Sequence, residues 1–247
     1  MFYETLGQGS PLLLLHGWMQ IGRDLLLLAQ ALASEYRVIL PDLPGYGRSV
    51  PSHRTFPTNF YERDADIMCE FVDALELKNL DVLGYSDGGE VALLMGVTRP
   101  ELFRSIVTWG AVGYLSPDLC DYAQNVMAVL PIGGAERKLH PGQDVAKWPR
   151  QWTESFCAMI AAGGDISLSR AAQMQASLLL MVGDQDTLNS ADAGRSFVEA
   201  AETAHHNMPN PKPSRMFRVF AQTGHAIHEE RPTQFIETAR EFLRLAP

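Results

Sequence analysis

Three short stretches of this 247-residue chain carry side chains that together could activate a hydroxyl group and attack a carbonyl carbon. Gly84-Tyr85-Ser86-Asp87-Gly88-Gly89 fits the pattern G-x-S-x-G, in which a sharp strand-to-helix turn exposes a serine hydroxyl. That hydroxyl attacks only when a neighbouring base removes its proton, and the base needs an acid to orient it. Thr223-Gly224-His225 supplies a base, and Gly183-Asp184-Gln185-Asp186 supplies an acid. Together these stretches predict acyl transfer through a nucleophile.

One residue of each stretch is assigned a chemical role. Ser86 is predicted to be the nucleophile, and His225 the general base and then the general acid. Asp186 would hold the imidazole tautomer and stabilise the imidazolium. Asp184 lies nearer the preceding strand and is the alternative acid, in which case Asp186 would be only a turn residue. His228, three residues after His225, is expected to make a helix-start contact instead of acting as the base.

Acyl transfer also needs donors for the negative charge that develops on the carbonyl oxygen. His16-Gly17-Trp18-Met19 follows the first apolar run of the sequence. We expect the backbone N–H of Trp18 to join that of Asp87 in an oxyanion hole. His16 itself is expected to be a buried structural histidine. None of these steps needs a metal ion or an organic cofactor.

These stretches must meet at one edge of a sheet, because ligands of open α/β sheets bind at the carboxyl ends of the strands. Short apolar runs alternate with amphipathic segments, which is typical of a mostly parallel sheet with helices on both faces. The predicted strands are Leu12–Leu15, Val38–Leu40, Leu80–Gly84, Ser105–Trp109, Ser177–Val182 and Met216–Phe220. Helical spacing of apolar residues predicts helices over Asp24–Ser34, Asp64–Leu77, Gly89–Arg99 and Gln234–Leu245.

About 65 residues separate the strand that ends at Trp109 from the strand that begins at Ser177. An unstructured loop of that length is uncommon inside a compact domain, so we expect helices there. Pro149 suits the first turn of one of them. The apolar face of that helix would consist of Trp148, Trp152, Phe156, Met159 and Ile160. A second helix is predicted from the apolar set Tyr122, Val126, Met127 and Leu130.

The long interval divides the chain into a core and an insertion. Residues 1–112 and 176–247 are predicted to form the core domain, and residues 113–175 a helical cap over the carboxyl edge of the sheet. Pro209–Pro213 predicts an exposed connection before the last strand. His205 and His206, which lie near this connection, are expected to be solvated.

Charge and cysteine content exclude several classes of function. The chain has 20 Lys+Arg and 29 Asp+Glu, a net charge of −9, and lacks the basic footprint that nucleic acids or anionic membranes require. Cys69, Cys120 and Cys157 form no C-x-x-C pair, so we expect small buried hydrophobic residues in a reducing compartment. The sequence starts with no signal-peptide pattern and holds no membrane-spanning run, which predicts a cytoplasmic protein.

The strand-end motifs together resemble those of the α/β-hydrolase superfamily over essentially the whole chain. They include His16-Gly17, the turn Pro41-Asp42-Leu43-Pro44-Gly45-Tyr46-Gly47-Arg48-Ser49, the serine turn and Gly224-His225. The resemblance implies an α/β-hydrolase fold, with Asp186, the last aspartate of its turn, as the acid. Phe60-Tyr61-Glu62-Arg63-Asp64-Ala65 and the serine turn also resemble the biphenyl-hydrolase-like proteins, which include valacyclovir hydrolases. Trp18-Met19 departs from the smaller residues of that subfamily.

Asp87 has two interpretations. Its side chain could stabilise the first turn of a helix, an effect of about 0.3–1 kcal/mol. A carboxylate beside an oxyanion hole would oppose the charge that forms there, and a substrate ammonium would cancel that conflict. The subfamily resemblance implies that this acidic residue holds a substrate's α-amino group. Trp18 and Tyr85 complete the predicted substrate-binding set.

The function predicted from these residues is a serine hydrolase that cleaves small carboxylic esters, including α-amino acyl esters, through an acyl-enzyme on Ser86. The same three residues would also suit hydrolysis of a carbon–carbon bond in a vinylogous diketone, amide hydrolysis or perhydrolysis. A protein of another class, a ligand sensor that keeps the three residues, would turn over its ligand about once, whereas typical enzymes turn over at about 1–1,000 per second.

Overall fold

The computed structural model describes residues 1–203 and 214–247, and within these ranges seven strands form one sheet. The strand order is β1-β3-β2-β4-β5-β6-β7, with β1 antiparallel to β3 and the other pairs parallel. The strands are β1 (Tyr3–Leu6), β2 (Ser10–Leu15), β3 (Tyr36–Pro41), β4 (Leu80–Tyr85), β5 (Phe103–Trp109), β6 (Ser177–Gly183) and β7 (Arg215–Phe220).

All six predicted strands are present, and each is longer than predicted by one to three residues. Strands β4 and β6 are buried along their whole length, because helices cover both faces of the sheet. Strand β1 was not predicted. It has only four residues, alternates between exposed and half-buried positions, and lies at the sheet edge, so its hydrophobic pattern is weak.

The described ranges contain helices between most strands, and none of these is long and apolar enough to cross a bilayer. The helices are α1 (Leu26–Leu32), α2 (Phe60–Ala74), α3 (Asp87–Thr98), α4 (Leu119–Tyr122), α5 (Gly134–Leu139), α6 (Trp148–Ala161), α7 (Ala191–Thr203), α8 (Ile227–Glu230) and α9 (Pro232–Leu245). Helix α7 was not predicted. The expectations for His205, His206 and Pro209–Pro213 concern positions outside the described residues.

The sheet separates two apolar cores. Helices α2, α3 and α7 pack on one face, and α6 of the insertion contributes to the same core. Helices α1 and α9 pack on the other face, where Leu28, Leu32, Phe235 and Phe242 are buried. Because both cores hold the same sheet, the carboxyl ends of its strands are fixed relative to one another.

The interval between β5 and β6 folds into short helices, as the sequence predicts. Helix α6 begins with Pro149 in its first turn and buries its apolar face, including Trp152 and Phe156. The second predicted apolar face was wrong in part. Helix α4 continues into one turn of π-helix that ends at Met127, but Val126 and Leu130 are exposed.

The expectation for the cysteines was also wrong in part. Cys69 is a buried free thiol, as expected, but Cys120 and Cys157 form a disulfide between α4 and α6. The two residues are 37 positions apart in the sequence and are brought together by tertiary packing, which no local motif reveals. Stable disulfides are rare in cytosolic proteins, and the cytoplasmic location stays a prediction.

Candidate active site

Ser86 stands at the turn between β4 and α3 in a strained backbone conformation. Its φ of 53° and ψ of −122° are unfavourable for a residue other than glycine. The turn is held by the Ser86 N–H, which donates to the Trp109 carbonyl, and by the Ser86 carbonyl, which accepts from the Gly89 N–H. At Gly88 a Cβ would lie 2.4 Å from the His16 carbonyl oxygen, so only glycine lets α3 begin this close to β2. The serine hydroxyl is therefore presented at the carboxyl edge of the sheet.

The structure brings the three residues with predicted chemical roles into one hydrogen-bonded line. The Ser86 Oγ lies 2.9 Å from the His225 Nε2, and the His225 Nδ1 lies 2.9 Å from the Asp186 Oδ2. The side chain of Asp186 is fully buried, whereas that of His225 is 23% exposed. In this geometry the imidazole can accept the hydroxyl proton at Nε2 while its Nδ1–H remains bonded to the carboxylate.

The two aspartates after β6 have different partners. Asp184 accepts a hydrogen bond from the Thr223 N–H at 3.2 Å, which braces the turn that leads to His225. Asp186 is the aspartate whose carboxylate meets the imidazole. The aspartate in contact with His225 is therefore Asp186, which the resemblance favours. Asp184 instead contacts the backbone of the turn that leads to the histidine.

Asn189 is a site residue that sequence reasoning missed. Its side-chain Nδ2 donates to the Asp186 Oδ2 at 3.2 Å, the same oxygen that meets His225. The Asp186 Oδ1 accepts the backbone N–H groups of Leu188 and Asn189. These donors fix the carboxylate in the orientation that the imidazole needs. The local pattern Asp-x-x-Asn suits an Asx-type turn, but nothing in it points to the distant histidine.

A glycine after β5 leaves space for the imidazole ring. Gly110 has a φ of +63°, and a Cβ there would lie 2.7 Å from the His225 Cε1. The loop that follows Gly110 is tied to the buried Glu90, whose Oε1 accepts from the N–H groups of Val112 and Gly113. Burial raises the pKa of Glu90 to about 7, although these hydrogen bonds act in the opposite direction.

The two backbone N–H groups that the sequence analysis assigns to an oxyanion hole lie in turns beside the serine. The Gly17 N–H donates to the Gln20 side chain at 2.9 Å, whereas the Trp18 N–H has no partner in the described part of the chain. Asp87 is the first residue of α3, where an N–H has no intrahelical acceptor. A Cβ on Gly17 would lie 3.2 Å from the Ser86 Cβ, so the two turns are adjacent.

The Asp87 side chain is buried beside the serine and accepts two hydrogen bonds. Its Oδ1 accepts from the Tyr61 hydroxyl at 2.7 Å and its Oδ2 from the Trp152 Nε1 at 3.1 Å. Burial raises its pKa to about 6, although both donors act in the opposite direction. The nearby buried cation, Arg54, forms an ion pair with Asp64 at 2.6 Å. Among the described side chains, no cation is hydrogen-bonded to Asp87.

A narrow cavity of about 30 Å³ lies beside the serine, histidine and aspartate. Its lining residues are Tyr61, Ser86, Asp87, Glu90, Gly110, Leu115, Trp152, Phe156, Leu188, Asn189 and His225. Two predicted substrate-binding residues lie outside this lining. Trp18 packs against Trp152, with ring centroids 5.4 Å apart, and Tyr85 packs between the rings of Trp109, His225 and His228.

The other two histidines near the strand ends have contacts that suit neutral rings. The His16 Nδ1 donates to the Gly17 carbonyl and its Nε2 accepts from the Leu43 N–H, and burial lowers its pKa to about 4. The His228 Nδ1 accepts from the Trp109 Nε1, and burial lowers its pKa to about 4 as well. His16 is buried, as expected, and His228 lies in the short helix α8 instead of facing the serine.

Comparisons with known proteins identify the family to which the chain belongs. The chain is 30% identical over 196 residues to "Serine hydrolase BPHL" of Mus musculus, a match that covers 76% of this chain and 67% of the relative. It is 27% identical over 266 residues to "Pimeloyl-[acyl-carrier protein] methyl ester esterase" of Aeromonas salmonicida, covering 97% and 98%. In fold it resembles the crystal structure of E-2-(acetamidomethylene)succinate hydrolase, with a TM-score of 0.72, 16% identity and coverage of 98% and 94%. The sequence model of the alpha/beta hydrolase family matches residues 12–238. The predicted resemblance is therefore confirmed, and the chain belongs to the alpha/beta hydrolase family.

Proposed function

We propose that this hydrolase cleaves carboxylic esters through an acyl-enzyme on Ser86. The observation that carries the proposal is the unbroken line of contacts at 2.9 Å from the serine Oγ through His225 to Asp186. A serine hydroxyl that is hydrogen-bonded to an oriented imidazole is the arrangement that acyl transfer requires. The similarity to a serine hydrolase and to a methyl ester esterase supports the same reaction class.

The reaction proceeds in two halves. The His225 Nε2 takes the hydroxyl proton as the Ser86 Oγ bonds to the carbonyl carbon, and the Trp18 and Asp87 N–H groups stabilise the oxyanion. As the tetrahedral adduct collapses, the imidazolium returns the proton to the leaving alkoxide, and the alcohol departs. A water molecule then attacks the acyl-enzyme with the same proton transfers and releases the acid and the free serine.

The substrates that suit this pocket best are α-amino acyl esters. Asp87 lies at the cavity wall next to the reacting serine, and as a buried anion it would repel the oxyanion. An ammonium group on the α-carbon of the acyl chain would lie close enough to neutralise that carboxylate. Tyr61 and Trp152 each donate one hydrogen bond to a different oxygen of the Asp87 carboxylate. Each of these oxygens has a second lone pair that can accept a hydrogen bond from the ammonium.

The experiment compares wild-type protein with Ser86→Ala and with Ser169→Ala, a matched control at an exposed serine. We expect Ser86→Ala to lose hydrolysis of p-nitrophenyl and aminoacyl esters, while Ser169→Ala keeps it. Ester hydrolysis by Ser86→Ala at the wild-type rate would refute the proposal. Turnover separates the enzyme from a ligand sensor, which would release about one product per chain.

Bond type is tested with a matched panel of an ester, an amide and a vinylogous diketone. The proposal predicts the highest kcat/KM for the ester. A higher value for the diketone would assign the protein to carbon–carbon bond hydrolysis by the same residues. This ordering is measurable because all three reactions begin at the same serine and differ in the leaving group.

A further inference from the structure

His140 joins the inserted segment to the turn that carries the predicted oxyanion donor. It follows α5 and is fully buried, and its Nε2 donates to the Met19 carbonyl at 3.0 Å. Its Nδ1 accepts the Gly47 N–H at 2.9 Å. A backbone N–H is always a donor, so Nδ1 must be unprotonated and the ring hydrogen must reside on Nε2. Both ring nitrogens of a neutral imidazole are thus used.

The carbonyl that His140 holds belongs to a strained residue. Met19 has a φ of +63°, a conformation that is unfavourable for a residue with a bulky side chain. Such a conformation persists only when surrounding contacts enforce it. Met19 directly follows Trp18, whose N–H points to no acceptor in the described residues. The carbonyl that His140 holds is therefore two peptide groups along the chain from the N–H that an oxyanion would use.

The surroundings of the ring keep it in place and neutral. The rings of Tyr46 and Trp148 pack against it, with centroids 5.7 Å and 4.7 Å away. Burial lowers the pKa of His140, whereas the hydrogen bond to Met19 and the nearby carboxylates of Asp42 and Asp24 raise it. His16 and Tyr46 are titratable rings close by. Trp148 begins α6, so the same histidine also contacts the helix that supplies Trp152 to the cavity.

We infer that His140 is a positioning residue of the oxyanion hole, through which the seating of the inserted segment controls transition-state stabilisation. The inference rests on the proposed function, because it assigns a role to a donor in that reaction. When the insertion is seated, the Nε2–H fixes the Met19 carbonyl and hence the orientation of the Trp18 N–H. Without that bond, the turn can relax and the donor loses its alignment.

Two substitutions separate the two hydrogen bonds of the ring. In His140→Gln the amide nitrogen reaches about as far as Nε2 and can donate to Met19, whereas in His140→Asn the amide oxygen lies about where Nδ1 was and can accept from Gly47. Both variants lose one hydrogen bond and part of the packing. Steady-state kinetics on an activated ester, with active sites counted by fluorophosphonate, gives kcat per functional site for each variant.

We expect the Gln variant to keep kcat per site within about threefold of wild type, and the Asn variant to lose about 10- to 100-fold. That loss is smaller than the 10²- to 10³-fold effect of removing an oxyanion donor outright. KM should change little, because the contact acts in the transition state. Binding of a trifluoromethyl ketone, whose adduct on Ser86 carries an oxyanion, should weaken in parallel with kcat.

Equal kcat per site in the two variants would overturn the inference, whether both fall or both stay at the wild-type value, because a merely structural role does not distinguish Met19 from Gly47. Inhibitor affinity unchanged in the Asn variant would overturn it as well. Failure of the proposed function has a different signature, namely a wild-type protein in which fluorophosphonate forms no adduct on Ser86.

Discussion

The replacement of Asp87 by Asn should separate amine-bearing esters from neutral esters. The substitution removes one charge and keeps the shape of the side chain. An asparagine can also keep both observed contacts, since its oxygen can accept from the Trp152 Nε1 while its amide nitrogen donates to the Tyr61 hydroxyl oxygen. The fold should therefore survive, and the measured change should report the lost carboxylate charge.

The expected size follows from the burial of the site. Two unit charges about 4 Å apart attract by about 4 kcal/mol at an effective dielectric constant of about 20. Part of that attraction offsets the loss of water around the ammonium, so we expect the ratio of kcat/KM for the two substrates to fall by about 2–4 kcal/mol, or about 30- to 700-fold. The kcat of the neutral ester should rise, because the carboxylate no longer opposes the oxyanion.

The assay compares kcat/KM for a valyl or phenylalanyl ester with kcat/KM for a neutral p-nitrophenyl ester. Glu90→Gln is the matched control, since Glu90 is the other buried carboxyl group of the same cavity. That control should leave the ratio closer to wild type than Asp87→Asn does. If Asp87→Asn lowers kcat/KM for both esters equally, or changes kcat/KM for neither, the amine-binding role is refuted.

Three further predictions concern stability and the alignment of the site. Burial raises the pKa of Asp87 and Glu90, so each carboxyl group should lower the free energy of unfolding as pH rises from about 4 to about 7, whereas His16 and His228, whose pKa values burial lowers, act in the opposite direction. Urea titrations should therefore show the free energy of unfolding of the wild type falling by about 2–3 kcal/mol relative to Asp87→Asn and to Glu90→Gln over this range, and a difference that does not change with pH would contradict it. Asn189→Leu should lower kcat/KM about 10- to 100-fold with little change in melting temperature, and unchanged kinetics would exclude its role. Cys120→Ser with Cys157→Ser should lower the free energy of unfolding by about 3–4 kcal/mol, measured against the disulfide-bonded protein, whereas equal stability would exclude a stabilising bond.

The sequence was most informative at the ends of the strands. Ser86, Asp186 and His225 each follow a predicted strand, and parallel strands necessarily bring their carboxyl ends to one edge. The elbow motif and the chain order of the three residues were therefore enough to anticipate their proximity. The long buried strands were also predictable, because an uninterrupted apolar run such as residues 178–182 of β6 is typical of a strand buried on both faces.

Residues that act through long-range contacts had no local signature. Tyr61 of α2 and Trp152 of the insertion both donate hydrogen bonds to Asp87, and their positions depend on how those helices pack. The contact of His140 with Met19 spans 121 positions of sequence. Such contacts are decided by tertiary packing, so neither propensity nor periodicity reveals them.

The most direct test of the account is the site at which a fluorophosphonate probe reacts. The hydrogen bond from the serine hydroxyl to the His225 Nε2 predicts one covalent adduct per chain, located by mass spectrometry on the peptide that contains Ser86. The same substitution that abolishes turnover, Ser86→Ala, should abolish the adduct. An adduct on another residue, or labelling of the Ala variant at the wild-type rate, would contradict the account.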